Sequence, residues 1–470
     1  MVANLNTFYQ GYTPEPVPKR VLLFNPPVYD TRFPWSNWQQ PVALLQLATL
    51  LHQYQCDVRL IDALYTPSDS TLTRRRVRIL SRGDITISYW RYGISKSELT
   101  NQLTALKKQG WQPDDIYLES FTTIWWEGII ETVELVRKIF PLARVILYGA
   151  YPSLAFEDAQ RNSGADILVC GPINGLAGLP VDLSLYPTRP RFTHLAIGTC
   201  ARSPQDLITE FLAKADTVNA KERIRHFAFA DHDVIHRFPE QFKGVLQTVI
   251  DRKLKVSFYA LGNLYPSDFI DEPELASLLF RAGFKQIVFA DDRNAPMTEE
   301  AREAYLESCR RAIEYCVAAG YQWRTESLAA SLSFGRPGEK IVDTTSFMTR
   351  LAHVVGSLIV IPYQPPPSEY DLYCPETKLS LELQNGKLFP FAEYNGVDYR
   401  EYINGLGLAA IFNAKHRSHS FDFLGNSLIS RLVQSSLTKT SWDPRSMPTE
   451  QQSRPVIAGW FNKEGKWVRS

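Results

Sequence analysis

No stretch of this sequence reaches the roughly 18–20 uninterrupted apolar residues that a membrane helix needs, so neither a membrane span nor a membrane partner is expected. Charge of one sign is also missing. Fifty-one Lys plus Arg against 50 Asp plus Glu leave a formal +1, too weak a field to point to nucleic acid. The one basic cluster, Arg74, Arg75, Arg76 and Arg78, is short and reads as a solvated face. The opening twenty residues carry Tyr, Pro and Glu where a secretory leader needs an apolar run, and a cytoplasmic location is the default expectation. Cysteine is sparse. Cys56, Cys170, Cys200, Cys309, Cys316 and Cys374 are scattered over 470 residues, unlike a secreted disulfide framework. Cys309 and Cys316, seven apart on an expected helix, suit same-face burial as free thiols.

What is present is a chain of ordinary globular composition, 44% hydrophobic, long enough for two or three domains. After a Pro-rich leader, residues 21–24 are a short apolar run closed by Asn25-Pro26-Pro27, which reads as a buried parallel strand ending in a loop. Helical spacing follows over 42–53, then strands over 58–62, 116–118, 145–149 and 167–169, with a helix over 129–139. The segment 65–113 is an insertion containing a helix over 97–108. This alternation predicts a doubly wound, Rossmann-like domain over residues 1–175, with its ligand crevice at the C-terminal edge of the strands. Residues 176–191, rich in Gly and Pro, read as a linker. Alternation resumes with strands over 193–199, 226–230, 256–260, 286–290, 325–334 and 358–361. Helices over 204–213, 240–250, 273–281, 299–318 and 341–355 separate them. Six strands in such order predict an incomplete (β/α)6 barrel, a partial TIM barrel, over 192–365, with its site on the strand-end loops. Residues 366–470 form a C-terminal accessory region, with weak helical pattern over 399–413 and a polar tail expected to be partly disordered.

Several segments line up with one family. Val21 to Pro27 (VLLFNPP), the helix from Pro41, and Val58 to Asp62 are followed by Tyr92-Gly93-Ile94-Ser95. Next come Thr122-Thr123-Ile124-Trp125-Trp126-Glu127-Gly128 and Leu147-Tyr148-Gly149-Ala150-Tyr151-Pro152-Ser153-Leu154. Later segments are Phe229-Ala230-Asp231-His232-Asp233, residues 258–271, and Phe334-Gly335-Arg336-Pro337-Gly338-Glu339. In order and spacing this series resembles the cobalamin-binding radical SAM proteins over residues 20–410. The resemblance implies a cobalamin-binding domain followed by a radical SAM-like barrel. It also exposes a departure. Active members hold a four-iron cluster through CxxxCxxC after the first barrel strand, three thiolates ligating three irons. Here the same loop, residues 195–204, retains Cys200 alone. No iron–sulfur cluster is expected, and a 5′-deoxyadenosyl radical reaction is not expected either. The first domain also lacks an Asp-x-His-x-x-Gly signature: Asp30 is followed by Thr31 and Arg32.

The resemblance implies two groups of candidate residues. In the first-domain crevice, Asn25, Pro26, Tyr29, Ser120, Thr122, Trp125, Trp126, Gly149, Tyr151 and Ser153 are candidates for holding cobalamin or a related tetrapyrrole. The aromatic faces would cover the macrocycle. The bland alternative is an inherited sheet whose aromatics only pack. At the barrel mouth, Cys200, Asp231, Asp233, Asn263, Asp291, Glu326 and Arg336 are candidates, with His232 and Asp292 beside them. Arg336 to Glu339 and Asn263 would suit S-adenosylmethionine bound without cleavage; as Pro–Gly sequence the former is also simply a turn. His and carboxylates can ligate a divalent ion, but no tight ligand motif is present, so no metal is expected. Catalytic residues do not declare themselves. The functional expectation is a degenerate radical SAM-like protein, a pseudoenzyme, that carries or senses a ligand or serves as the protein partner of an active paralogue. The alternative is a non-radical, metal-assisted enzyme using the strand-end carboxylates or Cys200.

Overall fold

The computed structural model describes residues 7–31, 40–65, 72–82, 85–188, 190, 192–197, 202–217, 223–231, 233–259, 264–290, 298–323, 327–336, 339–362 and 381. By its contacts the chain forms two compact units. One comprises residues 1–32, 37–78 and 89–202, the other 33–36, 79–88 and 203–470.

The first unit is built on β1 (Thr7–Tyr12), β2 (Arg20–Asn25), β4 (Asp57–Asp62), β7 (Asp115–Ser120), β8 (Arg144–Gly149) and β9 (Ile167–Ile173). These six strands form one parallel sheet in the order β1-β9-β8-β7-β2-β4. The central strands are apolar on both faces. In β2, Val21, Leu22, Leu23 and Phe24 are all buried, as a strand covered on both sides requires. α1 (Val42–Gln53) returns the chain from β2 to β4 and buries Leu44, Leu47, Ala48 and Leu51 against Leu23, Tyr117, Ile146 and Val169. α3 (Trp126–Ile139) joins β7 to β8, and the short α4 (Ala150–Leu154) and α5 (Phe156–Asn162) lead to β9.

Two features of this unit depart from the sequence expectation. The leader contains β1, an edge strand beside β9 whose Phe8 and Tyr9 remain exposed. The 65–113 insertion contains more than α2 (Lys96–Lys108). β5 (Arg74–Arg82) and β6 (Ile85–Tyr92), of which residues 74–78 and 89–92 count to this unit, join the short β3 (Val28–Thr31) in a second sheet, ordered β3-β6-β5, with β3 and β6 antiparallel. The basic cluster lies along β5 with Arg74, Arg75 and Arg76 exposed. Arg74 sits over the Trp90 ring, and Arg78 pairs with Glu127 at 2.8 Å. Residues 176–188 do not stand free: Leu176, Val181, Leu183 and Tyr186 are buried, and the Asp182 N–H donates to the Leu45 carbonyl. β10 (Phe192–Leu195) also falls in this unit, where His194 lies against the buried Gln40.

The second unit continues with α6 (Pro204–Ala215), β11 (His226–Phe229), α7 (Val234–Arg237), α8 (Pro239–Asp251) and β12 (Ser257–Tyr259). After α9 (Pro266–Asp271) and α10 (Glu274–Ala282) come β13 (Ile287–Phe289), α11 (Glu299–Ala319), β14 (Leu328–Phe334), α12 (Ile341–Val354) and β15 (Ser357–Pro362). β11 pairs with β12, and β13-β14-β15 pair in sequence, every pair parallel. Single parallel bridges, Phe258 to Phe284 and Leu264 to Phe289, link the two groups. Stacked Phe229, Phe258 and Phe284 form an aromatic spine within this unit. Helix ends follow local chemistry. Ser203 accepts from the Asp206 N–H with Pro204 behind it, and α11 starts on Thr298 and stops at Gly320, φ +116°, the left-handed stop that glycine favours. Cys309 and Cys316 are buried on α11, as their spacing predicts.

Candidate functional site

The chain runs from β2 to β4 on one side, then crosses back so that β7 lies on the other side of β2. The β2/β7 pair is therefore the switch point of the sheet, where a doubly wound fold opens a crevice beyond the strand C-termini. Asn25 ends β2 and Ser120 ends β7.

Two faces of that edge differ. Register pairs Asn25 with Asp62 across β2 and β4, and Glu119 with Tyr148 across β7 and β8. Phe24 pairs with Leu118, which sets Asn25 beside Glu119. A polar row, Asp62–Asn25–Glu119–Tyr148, thus crosses four neighbouring strands at one level. Alternation along each strand puts the row on the α1 face, since Val58, Leu23, Tyr117 and Tyr148 share the α1 core. Asp62 accepts from Asn25 Nδ2 at 2.7 Å, the Leu64 N–H at 3.0 Å and the Tyr186 hydroxyl at 2.9 Å. The Tyr65 ring lies 4.7 Å from that of Tyr186. The Glu119 carboxylate accepts from the Leu44 N–H in the first turn of α1. Glu119 is half-buried as a residue, yet its Oε2 is shut off from solvent and has no partner. Burial, with the Asp62 charge adding and Leu44 opposing, pushes its pKa up to about 7. Tyr148 is 4% exposed and its hydroxyl likewise has no partner. Burial and then the Glu119 charge hold that phenol well above its ordinary value.

The opposite face of the edge carries most of the predicted crevice residues. Gly149, φ +99°, lies so close to β7 that a Cβ would stand 2.3 Å from the Ser120 carbonyl oxygen, so only glycine fits. The Tyr151 N–H donates to Ser120 Oγ at 3.1 Å, and Ser120 Oγ donates to the Thr122 carbonyl. Ser153 Oγ donates to the Gly149 carbonyl and accepts from the Gly171 N–H. These residues do come together, but as a clasp between β7, β8 and β9. The Tyr151 hydroxyl donates to Asp158. Tyr29, on β3, donates to Glu131 at 2.5 Å, where Arg91 makes a buried pair at 2.7 Å. Asn25 belongs to the polar row, and Pro26 is buried beside it.

Among the predicted residues, the tryptophans leave apolar surface at the edge. Trp125 Nε1 donates to Asp30 at 3.2 Å, and its ring stacks on Phe121 at 6.0 Å and 18°. Phe121 is 67% exposed. Trp126 is half-buried with an Nε1 that has no partner. Gly128 holds this loop down: a Cβ there would meet the Pro27 carbonyl oxygen at 1.8 Å.

In the second unit, Asp233 adopts a left-handed φ of 56° before α7. Its carboxylate meets His236 Nδ1 at 2.5 Å, while His236 Nε2 meets Asp268 at 2.8 Å. Burial opposes charging this imidazole, but the two aspartates win and its pKa is raised. Asp231 is half-buried. Glu339 Oε2 accepts from the Gly335 and Arg336 N–H groups at 2.8 and 2.9 Å, and Arg336 is buried. Cys200, His232, Asn263, Asp291, Asp292 and Glu326, with Cys374 and the helical pattern over 399–413, lie outside the described residues. Among the described residues no group of three or more His, Cys, Asp and Glu is placed to hold a metal, and no helix is long and apolar enough to cross a membrane.

Sequence reasoning missed Asp62, Glu119, Tyr148 and Tyr186 as site residues. The available signal was an acid inside an apolar strand, Leu118-Glu119-Ser120, where burial of a charge is costly without a purpose or partner.

No family model matches the chain, and no curated protein matches it. Among solved structures, the catalytic domain of a hyperthermophilic chitinase from Pyrococcus furiosus aligns at 13% identity and TM-score 0.25. That alignment covers 68% of this chain and 91% of that one. Catalytic-site mutants of active domain 2 of chitinase from the same organism align at 12% identity and TM-score 0.23, covering 64% and 90%. Scores this low carry no argument about fold or activity.

Proposed function

We propose that this chain is a degenerate radical SAM-like protein that binds cobalamin or a related planar tetrapyrrole, acting as a carrier, a sensor or the partner of an active enzyme. In this reading the second unit is an incomplete radical SAM-like barrel. The observation that carries the proposal is the stacked Phe121–Trp125 pair at the β2/β7 switch point, exposed on one side and fixed by Asp30 on the other. A flat, apolar, pre-set surface is what the face of a macrocycle needs, since stacking and area burial reward rigid aromatics. The neighbouring Gly149 clasp and the Gly128–Pro27 approach keep that surface in place.

The residues fit the ring better than they fit the metal. Bound cobalamin would supply cobalt-centred chemistry. The described crevice residues offer no imidazole: in this unit His52 pairs with Asp182 and His194 lies against Gln40. Phe121 and Trp125 would therefore hold the macrocycle by its face. With only Cys200 in the cluster loop, electron delivery to S-adenosylmethionine has no carrier.

Titration with hydroxocobalamin, followed by absorbance and by tryptophan quenching, tests the reading. Saturable binding is expected, weakened about tenfold or more in the double variant Phe121→Ala/Trp125→Ala, given stacking worth about 0.5–1.5 kcal/mol beyond the area each ring buries. Native protein without corrinoid absorbance that also takes up no added hydroxocobalamin would sink it.

A further inference from the structure

The α1 face of the sheet edge has two polar atoms with nothing to bind. Glu119 Oε2 and the Tyr148 hydroxyl are both shut off from solvent and unpartnered. Their residues are register partners on neighbouring strands and lie close enough that the Glu119 charge acts on the Tyr148 phenol, yet they make no hydrogen bond. Buried polar groups left in this way are uncommon, and each calls for an explanation, a bound ion among them.

The chemistry of the surroundings selects that occupant. Asp62 already has neutral donors in Asn25, Leu64 and Tyr186. The groups acting on Glu119 are the Leu44 N–H, which is a partial positive end of α1, and the Asp62 carboxylate, which is negative. No full positive charge is among them. Two carboxylates therefore share one row, with an unpartnered carboxylate oxygen and an unpartnered hydroxyl that both present lone pairs. Aromatic rings lie along the same row: Tyr148 belongs to it, Tyr186 donates to Asp62, and Tyr65 packs on Tyr186, and aromatic surroundings favour a cation over an anion. A group that satisfies all of this donates at least two hydrogen bonds and carries positive charge.

We propose that the Asp62–Asn25–Glu119–Tyr148 row is a binding site for a primary ammonium group, held by Glu119 Oε2 and the Tyr148 hydroxyl beneath the first turn of α1. The site lies on the opposite face of the sheet from the Gly149 clasp and does not depend on the planar-ligand reading. Asp62 is a positioning residue: its Tyr186 and Asn25 bonds keep the row aligned while its charge adds to the attraction.

The experiment uses the full chain with tyrosine rings and glutamate carboxyl carbons labelled for NMR. Methylammonium chloride is titrated at pH 8, with tetramethylammonium, which has the charge but no N–H, as control. Saturable shifts at Tyr148 and Glu119 are expected with methylammonium and not with tetramethylammonium. Glu119→Gln and Tyr148→Phe should each weaken binding roughly tenfold or more, because each removes a hydrogen bond to a charged group. Circular dichroism confirms that the variants fold. Tyr148→Phe, which only deletes a hydroxyl, decides the matter should Glu119→Gln unfold. Three results overturn the proposal: no saturation, equal saturation with tetramethylammonium, or unchanged binding in the folded variants.

Discussion

Glu119 and His236 titrate in the same direction for opposite reasons. Burial raises the Glu119 pKa from 4.5 to about 7. The folded state therefore binds its proton more tightly than the unfolded state, and the associated stability, fully present below about 4.5, is lost as pH rises through about 7. Glu119→Gln is expected to raise Tm at pH 8 and to change it little at pH 4, which thermal melts at the two pH values will check. For His236 the raised pKa comes from Asp233 and Asp268 in spite of burial. Two carboxylates on both ring nitrogens suit the doubly protonated imidazolium. Its contribution is present below the ordinary histidine pKa of 6.5 and disappears as pH climbs past the raised value. Because the side chain is 40% exposed, salt should screen the effect. Asp233→Asn should flatten the dependence of Tm on pH between 6 and 8. The Arg91–Glu131 pair is different. Both side chains are almost fully enclosed, so Arg91→Ala leaves an uncompensated charge and should cost about 3–5 kcal/mol by urea denaturation.

At the scale of elements, regular helices and buried strands were legible. The α1 range is the one its spacing predicts, because Leu44, Leu47, Ala48 and Leu51 repeat at helical intervals and have a single core to meet. β1 was not legible. Its outward Phe8 and Tyr9 break the apolar pattern of an internal strand, and its partner β9 is about 160 residues away in sequence. The β5 strand was hidden by its arginines, which mark an edge strand as readily as a loop. α11 carries its own test. Burial pushes both Cys309 and Cys316 up to about 12, far from the thiolate that reacts. Both should resist Ellman's reagent in the native protein and react at the rate of global unfolding, a comparison that stopped-flow absorbance makes directly.

For the whole molecule, order of elements was readable where chemistry was not. Doubly wound alternation follows from apolar strands and amphipathic helices, and those patterns are local. The polar row is non-local: Asp62, Asn25, Glu119 and Tyr148 become neighbours only through register across four strands. Conversely, Gly149, Tyr151 and Ser153 cluster in sequence as a motif would, yet together with Ser120 they fasten the backbone. If the proposed radical SAM-like reading holds, Cys200 is the single cysteine where that family has three. Anaerobic reconstitution with iron and sulfide should give no cubane EPR signal and well under one iron per chain, measured by metal analysis.

The contact between Gly128 and Pro27 leaves no room for even a methyl group. The loop after β2 and the head of α3 are thereby locked to each other, like two stones set without mortar. A rim assembled in that way has almost no slack to lose. On the proposed planar-ligand reading, such a rim would meet its guest with a surface already standing in its final position.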